Sequence, residues 1–152
     1  MKSTLFALAV VLVSQSAFAG MSDGVVTCQS SSGRTKVNAI YPVDGLEASI
    51  KLTVDGKSSS FSGDIDAQGG AVSMVARRTT SELELGAYDA SGKFDLRLAV
   101  LESKGEIKKS RLPYGGELLK FKATVKGQDP RSSTGAALPE GITVTCVYDY
   151  HF

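Results

Sequence analysis

The sequence predicts an all-β fold, an antiparallel barrel or closed sandwich of about 8–10 strands whose two ends lie side by side. Three observations carry this. Apolar and polar residues alternate with a period of two in several stretches, tight-turn dipeptides punctuate them, and two cysteines stand near opposite ends of the chain.

The alternation is cleanest where Leu46, Ala48, Ile50, Leu52 and Val54 interleave with Glu47, Ser49, Lys51 and Thr53. Phe94, Leu96, Leu98 and Val100 repeat it against Lys93, Asp95 and Arg97, and Leu119, Phe121, Ala123 and Val125 against Lys120, Lys122, Thr124 and Lys126. Successive side chains of a strand point to opposite faces, so each apolar set marks one buried face. No stretch has a helical period with caps. Asp44-Gly45 and Asp55-Gly56 suit hairpin turns that need positive φ at both central residues. Ala90-Ser91-Gly92 and Pro113-Tyr114-Gly115-Gly116 supply further turns.

The strands expected are therefore, roughly, 24–30, 34–41, 46–54, 57–65, 71–77, 81–89, 93–102, 105–111, 117–126 and 142–150. The expected interior includes Leu46, Ile50, Leu52, Phe94, Leu96, Leu98, Phe121, Val125, Val144 and Tyr148. The segment 127–141, GQDPRSSTGAALPEG, reads as a long loop, and its composition suggests mobility.

The first residues, MKSTLFALAVVLVSQSAFA, have the form of a signal peptide over 1–19: Lys2, an apolar run from Leu5 to Val13, and Ala17-Phe18-Ala19 as a cleavage signal. The apolar run is too short for a transmembrane helix, which takes roughly 20 residues. Cleavage would leave one domain, 20–152, in the periplasm or outside the cell. Of the 17 basic residues it removes only Lys2, so 16 basic side chains balance 16 acidic ones. Such a balance excludes the overall basicity of a nucleic-acid binder.

After export, Cys28 and Cys146 most simply form one disulfide, the alternative being two buried thiols. A bridge would make the first and last strands neighbours, because linked Cα atoms sit about 5–6 Å apart. The stretches TCQSSSGRTKVNAIY and FKATVKGQDPR with ITVTCVYDY resemble small exported bacterial proteins that carry no assigned activity. That resemblance covers both ends of the chain and implies the same pairing of cysteines.

The final ITVTCVYDYHF also resembles the closing strand of bacterial outer-membrane β-barrels. Three observations favour a soluble domain. Girdles of aromatic residues are not visible in a chain with no tryptophan. KSSSFSGDI at 57–65 and the short segment 71–77 make poor lipid-facing bands, and both cysteines share parity with the apolar faces of their strands.

Candidate chemistry is sparse. His151 is the only histidine and lies near Asp149, but no nucleophile elbow accompanies them. Asp64, Asp66 and Gln68 in GDIDAQGG mimic the start of a calcium loop, but Val75 stands where the bidentate acid should be. Gly56-Lys57-Ser58 ends like a phosphate loop but precedes an extended stretch rather than a helix. No metal, cofactor or catalytic residue is therefore expected.

Charge is the clearer asymmetry. Residues 104–126 hold Lys104, Lys108, Lys109, Arg111, Lys120, Lys122 and Lys126 against Glu106 and Glu117. The expectation is a non-catalytic binding module for a protein or an anionic envelope polymer, acting through this basic hairpin. The bland counterpart is a solvated strand face whose lysines discourage aggregation. The alternatives are a carrier with a small apolar ligand inside the barrel, or a small outer-membrane barrel.

Overall fold

Among the described residues, the alternating apolar stretches become nine strands: β1 (Gly24–Gln29), β2 (Thr35–Tyr41), β3 (Glu47–Val54), β4 (Lys57–Asp64), β5 (Val72–Arg78), β6 (Leu83–Asp89), β7 (Arg97–Arg111), β8 (Glu117–Gly127) and β9 (Ile142–Tyr150). The computed structural model describes residues 23–43, 45–65, 70–91, 96–113 and 115–151. The expected leader, the Asp44 turn residue, Asp66, Gln68, Phe94 and Tyr114 lie outside the described residues.

The strands form one sheet in the order β4-β3-β2-β1-β9-β8-β7-β6-β5. Every neighbour in this order is antiparallel. All but one join consecutive strands, and the exception, β1 with β9, brings the two ends of the domain together. The sheet curls into a nearly closed barrel.

A parity constraint explains why it is only nearly closed. Eight reversals of direction separate β4 from β5, so these two run the same way. Side-by-side parallel strands need a crossover of about a dozen residues or more. Here β4 ends at Asp64 and β5 begins at Val72. Among the described residues, a single parallel bridge, Ile65 to Met74, links the residue after β4 to β5. The seam falls on the strand least able to occupy a core: KSSSFSGD has only half-buried Ser59, Phe61 and Gly63 on its inward face.

The interior is built from alternate residues of the other strands. Val26, Val37, Ile50, Leu52, Met74, Leu83, Leu85, Leu101, Val125, Val144 and Tyr148 are fully buried. Tyr148 packs edge-on to Tyr41, ring centroids 6.0 Å apart, and beside Tyr150 at 6.5 Å. A Cβ on Gly24 would collide with the Tyr148 ring, so the first residue of β1 is small because the last strand is aromatic there. Asp55 and Gly56 take φ of 48° and 79°, the positive pair expected of the β3–β4 turn.

Several expectations need correcting. The two strands expected over 93–102 and 105–111 meet in one: β7 runs unbroken from Arg97 to Arg111, Gly105 is absorbed as a bulge, and 93–95 lie outside the described residues. Leu46 and Leu96 are surface residues, 70% and 41% exposed, because each sits just outside its strand at a barrel end. A register shift between Ala87 and Tyr88 also changes the parity of β7. Ala99 and Leu101 then oppose Ala87 and Leu85 on the inner face. Val100 is buried on the outer face instead, beside Gly86 and the ring of Tyr88.

Cys28 and Cys146 oppose each other in the β1–β9 ladder and form the disulfide, with Cα atoms 4.1 Å apart. Closing a loop of 118 residues contributes about 5 kcal/mol in the chain-entropy model. The Cys28→Ser, Cys146→Ser variant is expected to lose several kcal/mol of unfolding free energy in denaturant titration. A second expectation is that Gly24→Ala lowers the melting temperature, since Tyr148 is fully buried and has no free space to retreat into.

Candidate functional site

The basic hairpin forms within the barrel wall: β8 stays paired with β9 as far as Glu117, while β7 runs on past the end of its pairing with β6. β7 pairs with β6 up to Glu102, opposite Glu84, whereas its pairing with β8 continues to Arg111 opposite Glu117. Residues 104–111 therefore overhang β6, and all but the half-buried Ile107 are exposed.

The structure sorts the seven predicted cations into separate groups. Lys104 stands directly opposite Lys122, and Lys108 directly opposite Lys120. Phe121 and Ala123 point inward, so Lys120 and Lys122 point outward, and their partners share that face. Opposed Cβ atoms lie about 4.5–5.5 Å apart in such pairs. Two residues along a strand span about 6.8 Å. Four ammonium-bearing side chains thus form a compact square.

Like charges directly opposite each other destabilise a sheet by about 0.2–1 kcal/mol per pair. Among the described residues, no carboxylate forms an ion pair with any of the four. Glu102 and Glu84 of the same outer face are engaged elsewhere, and Asp149 lies beside His151. Glu102 pairs with Lys126 at 2.6 Å, Asp149 lies 2.9 Å from His151 Nε2, and Glu84 accepts a hydrogen bond from Tyr88 at 2.8 Å.

Lys109 turns to the other face. It opposes Leu119 and reaches Glu117 at 2.5 Å, where Arg78 from β5 also pairs. Arg78 sits 5.1 Å from the centroid of the Tyr148 ring and donates to its hydroxyl at 3.4 Å. This cluster, with Tyr41 and Tyr150, closes one end of the barrel. Burial pushes the Glu117 carboxyl up, but hydrogen bonds from Lys109 and Arg78 outweigh it and hold the group below its usual range. Burial pushes the Tyr148 hydroxyl up to about 12, against the opposing influence of Arg78. Sequence reasoning missed this cluster because Arg78 and Glu117 lie 39 positions apart in sequence and meet only across the interior. Arg111 ends β7 opposite Glu117.

The other end is held by a second network. Asp55 of the β3–β4 turn pairs with Arg34 at 2.5 Å and with Arg131 at 2.6 Å, and Arg131 also grips Asp129 at 2.6 Å. The long loop expected to be mobile is thereby tied down. Its backbone bonds Asp129 to Ala136 and Leu138 to Gly127, and Leu138 is buried. An open cleft of about 530 Å³ lies beside this loop, lined by Leu96, Arg97, Lys126, Leu138 and Glu140 among others. It is a surface feature, outside the packed interior.

The remaining candidates do not assemble. His151 is 68% exposed at its side chain, and its contact with Asp149 is an ion pair only when the imidazole is protonated. Asp64 ends β4 with an exposed side chain, while Asp66 and Gln68 fall outside the described residues. No group of three or more metal-ligating side chains occurs among the described residues. Gly56-Lys57-Ser58 is a hairpin turn followed by a strand, without the helix N-terminus that cradles phosphate.

Compared with known proteins, the chain matches no family model, no curated protein sequence and no solved structure. What it can do is read from its own residues.

The ion networks set an expected acid response. Hydrogen bonds from Arg34 and then Arg131 hold Asp55 below the usual carboxylate range, and Arg131 does the same to Asp129. A depressed folded-state pKa stabilises the protein above the ordinary value of about 4, and that contribution is lost as pH falls through the lowered value. The melting temperature should stay level down to about pH 5 and drop below about pH 4. The Asp55→Asn, Asp129→Asn variant should melt lower than the parent at neutral pH, with the gap narrowing on acidification. A constant gap would contradict this account.

Proposed function

We propose that this chain is an exported, soluble, non-catalytic binding module that engages an anionic partner through the outer face of the β7–β8 hairpin. The observation that carries the reading is the pair of lysine–lysine oppositions, Lys104 with Lys122 and Lys108 with Lys120, without a compensating carboxylate. An arrangement that costs folding stability is readily understood if an external anion relieves it. A solvated face needs lysines, but it does not need them in register against one another.

Export is supported by the disulfide, which persists in oxidising compartments, and by the form of residues 1–19. Solubility is supported by the sidedness of the barrel. Lys36, Asn38, Lys51, Lys120, Lys122, Thr143 and Thr145 face outward and are exposed, whereas a membrane barrel presents an apolar band there. The packed interior, with its cluster of buried aliphatic and tyrosine side chains, weighs against a carrier for an apolar ligand.

The test is retention on an immobilised sulfated polysaccharide, with elution by salt. The parent should bind at low ionic strength and elute as screening rises. Replacing Lys104, Lys108, Lys120 and Lys122 by Gln should weaken binding about tenfold or more, with the circular dichroism spectrum unchanged. Equal retention of parent and variant would remove the hairpin from the binding surface. Uptake of an apolar dye by the folded protein would instead favour the carrier.

A further inference from the structure

The irregularity in β7 has a definite effect on charge. Lys104 opposes Lys122, and Lys108 opposes Lys120. Three residues, Gly105, Glu106 and Ile107, therefore stand against the single Phe121. A regular antiparallel ladder continuing from Lys104–Lys122 would set Glu106 opposite Lys120, an attractive pair, and Lys108 opposite Leu118. The bulge removes Glu106 from the ladder and puts Lys108 in its place. Gly105 makes this possible with a φ of 78°, in the region that side-chain-bearing residues avoid, and open space surrounds the position its Cβ would take. Ile107 packs partly against the core, which anchors the bulge from beneath.

The sheet thus gives up an opposite-charge pair and two rungs of ladder, and gains a fourth lysine at one spot. Bulges beside functional sites re-aim side chains in this way. The type of cation narrows the ligand. Arginine presents a planar fork suited to bidentate carboxylates, whereas lysine presents compact point charges with three donors each. The square holds four lysines and no arginine. One carboxylate, with a single negative charge, would leave most of that charge uncompensated. A phosphate monoester carries about −1.5 to −2 at neutral pH and offers three strong acceptor oxygens in a tetrahedral array.

We propose that Lys104, Lys108, Lys120 and Lys122 form a phosphate-monoester site, assembled by the Gly105 bulge that expels Glu106 from the ladder. This rests on the anion-binding reading above and names its ligand chemistry. The monoester could belong to a lipid headgroup or to a soluble phosphate.

The experiment compares sedimentation of the mature protein with phosphatidylcholine vesicles that contain either phosphatidic acid, a monoester, or phosphatidylglycerol, a diester, at matched surface charge. Phosphatidic acid should be preferred, by about tenfold at low salt, and the preference should decline towards pH 5 as the second ionisation near pH 6 is reversed. Inorganic pyrophosphate should displace the protein if the phosphate group itself is recognised, and fail to do so if a lipid surface is required. Exchanging the two charges, Glu106→Lys with Lys108→Glu, conserves net charge while putting an acid into the square, so it should abolish the preference. Lys108→Gln, a milder change at an exposed position, should reduce it.

Equal binding to both vesicles, or an exchanged variant that keeps the preference, overturns the monoester site while leaving a general anionic surface in place. Failure to bind either vesicle, together with failure to bind the sulfated polysaccharide, overturns both readings.

Discussion

The pairing of β1 with β9 is the contact on which the rest of the architecture depends. Every other ladder joins strands that follow one another along the chain and could form locally as a hairpin. Only β1–β9 spans the domain, and loop closure makes such long-range pairing entropically costly. Its register, with Val26 opposite Tyr148 and Cys28 opposite Cys146, aligns two inward faces and puts both sulfurs in the dry interior. The disulfide then holds together the one pair that local folding would not supply.

The same pairing forces the seam. With β1 and β9 antiparallel, an odd number of strands cannot alternate direction all the way round, so one adjacent pair must run parallel. That defect falls at β4, where serines replace the aliphatic residues found on the other strands. β5, on the other side, is drawn in by its side chains. Met74 is fully buried, and Arg78 crosses the barrel mouth to Glu117 and the face of Tyr148. An ion pair and a cation–π contact thus assist where backbone hydrogen bonds are missing.

Much of this was legible in the residues because a period of two leaves little choice once one face is buried. Ile50, Leu52, Phe121, Val125, Val144 and Tyr148 are inside as the alternation implies, and Asp55-Gly56 turns as its dipeptide demands. What was not legible is where the alternation slips. At Leu98 and again at Gly105 extra residues enter one strand only, and the apolar count of one strand does not reveal a mismatch with its partner. Leu96 keeps inward parity but lies just outside β7 at a barrel end, where it is left exposed. The candidate site shows the same limit: seven cations are visible as a density of charge, but their division into an outer square of four, Lys109 bridged to Glu117, Lys126 paired with Glu102 and Arg111 at the end of β7 depends on register.

The sulfur link has a mechanical consequence as well. The described chain enters at Asp23 and leaves at His151, through strands lying side by side and pointing in opposite directions. Tension applied to both flanks would run through only the few residues outside the cysteines and then into a covalent bond. The 118-residue span between them would carry none of the load, so the collar of strands bearing the lysines would keep its shape while the tethers were stretched.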